Sequence, residues 1–137
     1  MSKKRRFGVS VPEDVAIDLD FLAKKLNIDR SKLVCEAIRM YIKDHAHYLT
    51  PHDCYGVITL ISNDNLNLLK IIEDYRDIIK EFTHIHVHEA CINALIVYGP
   101  SGKIAELHKR LLDLYSHVRF IPLKSCQINA NSANGNE

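Results

Sequence analysis

The chain has 137 residues, 47% of them apolar, with 18 Lys and Arg against 17 Asp and Glu. That length allows one domain or two small ones, and no apolar run reaches the ~20 residues needed to cross a bilayer. The basic N-terminus has no apolar segment behind it, so it does not read as a secretory signal, and four scattered cysteines (Cys35, Cys54, Cys91, Cys126) suit a cytoplasmic protein with reduced thiols.

The near-neutral total hides an asymmetry: residues 1–45 carry ten Lys and Arg against seven Asp and Glu, with Lys3, Lys4, Arg5 and Arg6 adjacent. Such an arm suits contact with nucleic-acid phosphate. Residues 5–11, "RRFGVSV", alternate: Phe7, Val9 and Val11 fall on one side, Arg6, Gly8 and Ser10 on the other. This predicts a strand with one buried face. Pro12 then suits a helix start, with Glu13 and Asp14 favourable in the first turn. Val15, Leu19, Leu22 and Leu26 follow at helical spacing. "NIDRS" breaks this helix, and a second opens near Asp29 or Ser31, burying Leu33, Val34, Ala37, Ile38, Tyr41 and Ile42.

One strand and two helices in so short a stretch cannot close a core, and a lone strand has both edges unpaired. Pairing with the same strand of a second chain answers both needs. This order of elements, with "DRSKLVCEAIR" opening the second helix, resembles the ribbon-helix-helix DNA-binding domain, a dimer whose two-stranded ribbon enters the major groove. The outward side chains Arg6, Gly8 and Ser10 are then the base readers, with Arg able to bond guanine bidentately. Lys4 and Arg5 belong to the same basic arm, and the second helix's N-terminus (Asp29, Arg30, Ser31) suits a phosphate. Gly8 departs from the family, which usually has a hydroxyl side chain there.

A linker, "DHAHYLTPHDCYG", contains Pro51, Gly56, three histidines and a cysteine, without diagnostic metal spacing. Beyond it, "YGVITLIS" is a predicted strand and "NLNLLKIIEDYRDIIKEF" a predicted helix, with Leu68, Ile72, Tyr75, Ile79 and Phe82 on one stripe. "THIHVH" and "CINALIVY" are strands, "SGKIAELHKRLLDLY" a helix and "VRFIPLKS" a closing strand. The order βαββαβ predicts an antiparallel sheet with two helices on one face, ferredoxin-like, whose open face favours oligomerisation. His108 and His117 read as surface residues. The fold class is α+β, with residues 1–46 as the first domain, 47–54 as linker, 55–126 as the second domain and a disordered polar tail over 127–137.

On the strand "THIHVH", His84, His86 and His88 share a face, and Cys91 follows a tight connection. Imidazole plus thiolate suits Ni, Co, Zn or Cu and ill suits Mg or Ca. An H-x-H strand, then a cysteine opening the next strand of an ACT-type βαββαβ domain, all behind a ribbon-helix-helix domain, resembles the nickel-responsive transcriptional regulators. The resemblance covers nearly the whole chain except the tail. It implies metal ligands at His84, His86 and Cys91, with a fourth supplied by the preceding helix of a neighbouring subunit. That fourth position holds Glu73 where the family has histidine, and the stretch from H-x-H to cysteine is one residue shorter than usual, which makes His88 a further candidate ligand. The implied cofactor is a divalent transition metal, nickel by family, with Zn or Co compatible with the donors.

The implied function is metal-dependent binding to a double-stranded DNA operator by a homotetramer built as a dimer of dimers, with no membrane partner. A metal-storage protein whose ribbon domain only dimerises is the alternative, and small-molecule sensing by the ACT-like domain a third. An enzyme is not supported, since no acid/base partner or pocket can be argued.

Overall fold

The computed structural model describes residues 3–63 and 65–123. The chain divides into two compact units, residues 1–39 and 40–137.

The first unit holds helix α1 (Glu13–Leu26) and most of helix α2 (Arg30–Asp44). Pro12 precedes α1, and Glu13 and Asp14 occupy its first turn beside the unpaired N–H groups. Asn27 ends the helix at φ 54°, where its N–H and that of Ile28 bond back to the carbonyls of Lys24 and Ala23. Asparagine tolerates this left-handed conformation at little cost. α2 opens after Asp29, whose carbonyl accepts from the Leu33 N–H at 3.0 Å.

Residues 3–11 form no strand in the single chain. The alternation expected over 5–11 has no second strand to supply ladder hydrogen bonds, and Phe7 and Val9 stand 72% and 70% exposed. Along α1 only Ala23 is buried, and along α2 no residue is. The apolar stripes predicted from spacing are therefore present and largely uncovered, with Leu19, Leu33 and Val34 half-buried.

The second unit is built on a four-stranded sheet of order β2-β3-β1-β4. Its strands are β1 (Asp53–Ser62), β2 (Ile79–Val87), β3 (Ala90–Pro100) and β4 (Ser116–Pro122), and every neighbouring pair is antiparallel. Helix α3 (Asn65–Asp74) connects β1 to β2, and α4 (Ser101–Leu114) connects β3 to β4. This is the expected βαββαβ order. β1 alternates between fully buried and half-buried residues. Ile58 and Leu60 of β1, Leu95 and Val97 of β3 and Phe120 of β4 form one core with Leu68, Ile71, Ile104, Leu107 and Leu111 of the helices. Ile85, Ile92, Ile96, Tyr98 and Ile121 stay exposed.

The helix expected over 65–82 stops at Asp74, and residues 79–82 belong to β2. The misleading signal has a physical source. Register shifts between Ile79, opposite Val97, and Glu81, opposite Ile96. This irregularity lets Ile79 and Phe82, three residues apart, both pack against the core. In sequence a spacing of three reads as helical; here a bulge produces it. In the closing strand, residues 124–125 lie outside those described, as does the expected tail over 127–137.

Residues 45–52 are anchored at their ends and partly buried. The 3-10 turn Ala46–Tyr48 buries Ala46 and His47. The His52 N–H donates to Ser101 Oγ at 3.0 Å and the Ser101 N–H to the His52 carbonyl at 2.8 Å, fastening this segment to the start of α4. His108 is buried, not on the surface as its position suggested, because it lies on the inner face of α4; His117 is exposed. The expectation of reduced thiols holds for Cys35 and Cys91 and fails for Cys54, which is disulfide-bonded.

Burial, reinforced by neighbouring histidine charge, lowers the pKa of His47 to about 3 and of His108 to about 4. Both fold neutral, whereas an unfolded histidine protonates near 6.5. Below that value the unfolded chain binds protons that the native state refuses, so stability falls with pH, by on the order of 2 kcal/mol per group at pH 5. The urea midpoint should therefore drop between pH 7 and pH 5, at fixed protein concentration, and His108→Gln should shrink that drop.

Candidate metal centre

The β2–β3 hairpin turns through two residues, His88 and Glu89, with Val87 opposite Ala90. A two-residue hairpin loop demands positive φ, and His88 has it, at 55°. Register then places His86 directly opposite Cys91 and His84 opposite Asn93. All four lie on the face of the sheet that carries Leu95 and Val97, because β3 alternates from Cys91 onward. Ile85 and Val87 point to the other face, as expected. His88 does not join the shared face: it sits in the turn, exposed. The cause is that β2 ends one residue before it.

One donor atom from each of His84, His86 and Cys91 can be chosen so that all lie within 4.8 Å of one another. His84 Nε2 is 3.2 Å from His86 Nε2, and Cys91 Sγ is 3.3 Å from His86 Nδ1. Two imidazole nitrogens on one ion stand about 2.9–3.4 Å apart, and nitrogen and sulfur about 3.1–3.6 Å, for square to tetrahedral angles at ordinary bond lengths. Both separations fit. The two contacts use opposite nitrogens of His86, so holding one ion with all three side chains requires that ring to commit a single nitrogen.

The hydrogen-bond network assigns the protons. The Cys91 carbonyl can only accept, so the Asn93 atom 3.3 Å from it is the amide nitrogen, which also donates to Ser62 Oγ at 2.8 Å. Asn93 Oδ1 therefore faces His84 Nδ1 at 2.7 Å and accepts from it. His84 Nε2 is left as a lone pair, His86 Nε2–H donates to it, and His86 Nδ1 receives the Cys91 thiol. Asn93 is fully buried and holds this arrangement from behind. The donor set is thus half prepared for a metal: His84 already presents the lone pair, and the thiol must lose its proton. A cleft of about 160 Å³, lined by Leu68, Leu69, Phe82 and His84, gives the site an apolar wall.

Sequence reasoning missed Asn93 and Ser62. The signal for Asn93 was present, a lone polar residue inside the apolar run "CINALIVY" at a core-facing position. Glu73 lies exposed on α3, ion-paired with Arg76 at 3.0 Å, and is not part of the His84–His86–Cys91 group. Lys4, Arg5, Arg6, Gly8 and Ser10 are exposed in the segment before α1, and open space surrounds Gly8. Arg30 pairs with Asp20 at 3.3 Å, an exposed contact that a phosphate could replace; Asp29 precedes α2 and Ser31 lies in its first turn.

Replacing Asn93 with Leu, likewise branched at Cγ but unable to accept a hydrogen bond, should release the His84 tautomer. Divalent-metal affinity is expected to fall by about 10–100-fold, with the melting temperature of the metal-free protein as the control for folding.

Comparison with known proteins agrees with both halves. Residues 3–46 match the ribbon-helix-helix domain family, and residues 55–125 match the family of the NikR C-terminal nickel-binding domain. Relatives named as nickel-responsive regulators include one from Thermococcus onnurineus, 31% identical over 82% of this chain and 86% of the relative. One from Thermococcus kodakarensis is 33% identical over 80% of this chain and 84% of the relative. One from Saccharolobus islandicus is 32% identical over 77% and 82%. With these domains in this order and relatives aligned over most of its length, the chain belongs to the family of nickel-responsive transcriptional regulators.

Proposed function

We propose that this protein is a metal-responsive transcriptional regulator in which an ion held by His84, His86 and Cys91 promotes operator binding by the N-terminal unit. The observation that carries it is the convergence of two imidazoles and a thiol on one hairpin, in a chain whose other end matches a DNA-binding domain. Nickel is the favoured ion, because the relatives are named for it and because nitrogen and sulfur donors suit it; the same donors accept Zn or Co.

The fourth ligand is Glu73 of a neighbouring subunit. It is exposed and held only by a surface ion pair of little worth. His88 is the competing candidate, exposed in the adjacent turn. A carboxylate in place of a nitrogen weakens the preference for square-planar nickel and makes the site more permissive toward Zn and Co.

Two copies pair their residues 5–11 into a ribbon, which covers Phe7, Val9 and Val11 and points Arg6, Gly8 and Ser10 at base edges. Lys4 and Arg5 meet backbone phosphates, as does the start of α2 at Asp29, Arg30 and Ser31. Two such dimers join through the open faces of the C-terminal sheets into a homotetramer in the cytoplasm. Metal bridging neighbouring subunits favours the operator-competent arrangement, by a coupling of about 1–3 kcal/mol.

The test is operator affinity with and without nickel at fixed salt, on the DNA upstream of the protein's own gene. Affinity should rise about 5–150-fold with metal, and His84→Ala with Cys91→Ser should remove the rise while leaving metal-free affinity intact. Equal affinity with and without metal would reduce the protein to a DNA binder or a metal store. Glu73→Ala is expected to weaken nickel binding; if nickel affinity is unchanged while His88→Ala lowers it, the fourth ligand is His88. Arg6→Ala should weaken specific binding by roughly 1–3 kcal/mol.

A further inference from the structure

Helix α4 turns one stripe, Ile104, Leu107, His108 and Leu111, into the core. Beside it runs a second stripe at spacings of three and four, Lys103, Glu106 and Arg110, which helical geometry places on one flank. Each of these three meets the stretch from Asp74 to Asp77, where α3 ends and β2 has not begun. Lys103 pairs with Asp77, Glu106 accepts from the Tyr75 hydroxyl at 3.1 Å, and Arg110 bonds to Asp74 at 2.9 Å. The partners follow in reverse order along the chain, so the contacts form a single antiparallel row. The Arg110 guanidinium also lies 5.8 Å from the centre of the Tyr75 ring, within reach of a cation–π contact.

Tyr75 anchors this row. Its ring belongs to the core, while its hydroxyl reaches Glu106. Its backbone is tied as well: the N–H bonds to the Ile71 carbonyl at 3.1 Å, and its carbonyl accepts from Ile78 and Ile79, each at 3.0 Å. The end of α3 is thus held from two sides, by its own hydrogen bonds and by α4. Glu73 stands in that last turn, one residue before Asp74 and two before Tyr75, with its carboxylate exposed. Exposed ion pairs of this kind add little to folding stability. A row of them can still fix where a helix end lies, and a ligand that must reach another subunit depends on such support.

We propose that Tyr75, Glu106 and Arg110 are positioning residues for the metal centre, holding the end of α3 so that Glu73 is presented to the donors of a neighbouring subunit. The inference rests on Glu73 being the fourth ligand. Without the row, the three donors on the hairpin are untouched and still take an ion. The fourth then has to be ordered at the moment of binding, and that ordering lowers the affinity.

The experiment uses the full chain and measures nickel affinity by competition with a chelator, and amide hydrogen exchange of the metal-free protein. Arg110→Met keeps an unbranched stem and removes the bond to Asp74; Tyr75→Phe removes only the hydroxyl that reaches Glu106. Each should weaken nickel binding roughly two- to tenfold, the worth of one hydrogen bond, and Arg110→Lys should recover most of the loss. In the metal-free protein, exchange over residues 71–75 should quicken while the melting temperature stays nearly unchanged. With Glu73→Ala already in place, neither substitution should weaken nickel binding further, whereas general destabilisation would act in both backgrounds. If Glu73→Ala weakens binding and the other two variants do not, the positioning role is overturned and Glu73 remains a ligand. An equal loss with and without Glu73 overturns it too. If Glu73→Ala alone binds nickel as tightly as the parent chain, the fourth-ligand reading fails and this inference falls with it.

Discussion

Antiparallel pairing between β2 and β3 sets what the C-terminal unit can do with an ion. Histidines at alternate positions are a property of sequence, but their meeting with a sulfur depends on register, which puts His86 opposite Cys91 and His84 opposite Asn93. A slip of β2 by one residue would send both imidazoles to the face away from Cys91 and Asn93 and turn Ile85 and Val87 toward them. Burial protects this register: β3 places Leu95 and Val97 in the core on the same face as Cys91, so a shift would also expose the core. The bulge near Lys80 belongs to the same constraint, since it brings Ile79 and Phe82 inward together.

Behind the donors stands a rigid polar support. Asn93 and Ser62 are both buried and are bonded to each other and, through Asn93, to the Cys91 backbone and the His84 ring. A single carbonyl, that of Cys91, thereby decides which way an amide points and which nitrogen of an imidazole is free. The N-terminal unit presents the opposite case. It buries almost nothing by itself, and its strand-forming segment has no neighbour. A unit of this size that buries so little has no core of its own.

Pro51 and Gly56 make residues 44–56 read as a linker in sequence, although the segment lies within the second unit. Proline and glycine report local chain direction and say nothing of burial. In the structure Ala46, His47 and Cys54 are buried, and the chain is fastened to α4 by Ser101, whose hydroxyl donates to the Thr50 carbonyl and accepts from the His52 N–H. The spacing of the histidines in this stretch is uninformative because their neighbour His108 comes from a helix some sixty residues away. A constellation assembled across that distance leaves no local pattern.

Much of the architecture was legible because it is written in short-range periodicity. The helix from Glu13, the one from Arg30 and the one from Ser101 follow apolar spacing and end signals, and the βαββαβ order follows from alternation in the strands. The donors His84, His86 and Cys91 were legible because a strand's two-residue repeat and a tight turn are enough to bring them together. What tertiary structure decided is where a local pattern is ambiguous or silent. It ended α3 at Asp74, since a bulge imitates helical spacing; it moved His88 off the strand, since the hairpin needs a positive-φ residue; and it buried His47 and His108 together, since packing between distant segments is set by the shape of the whole core and by no neighbouring residue.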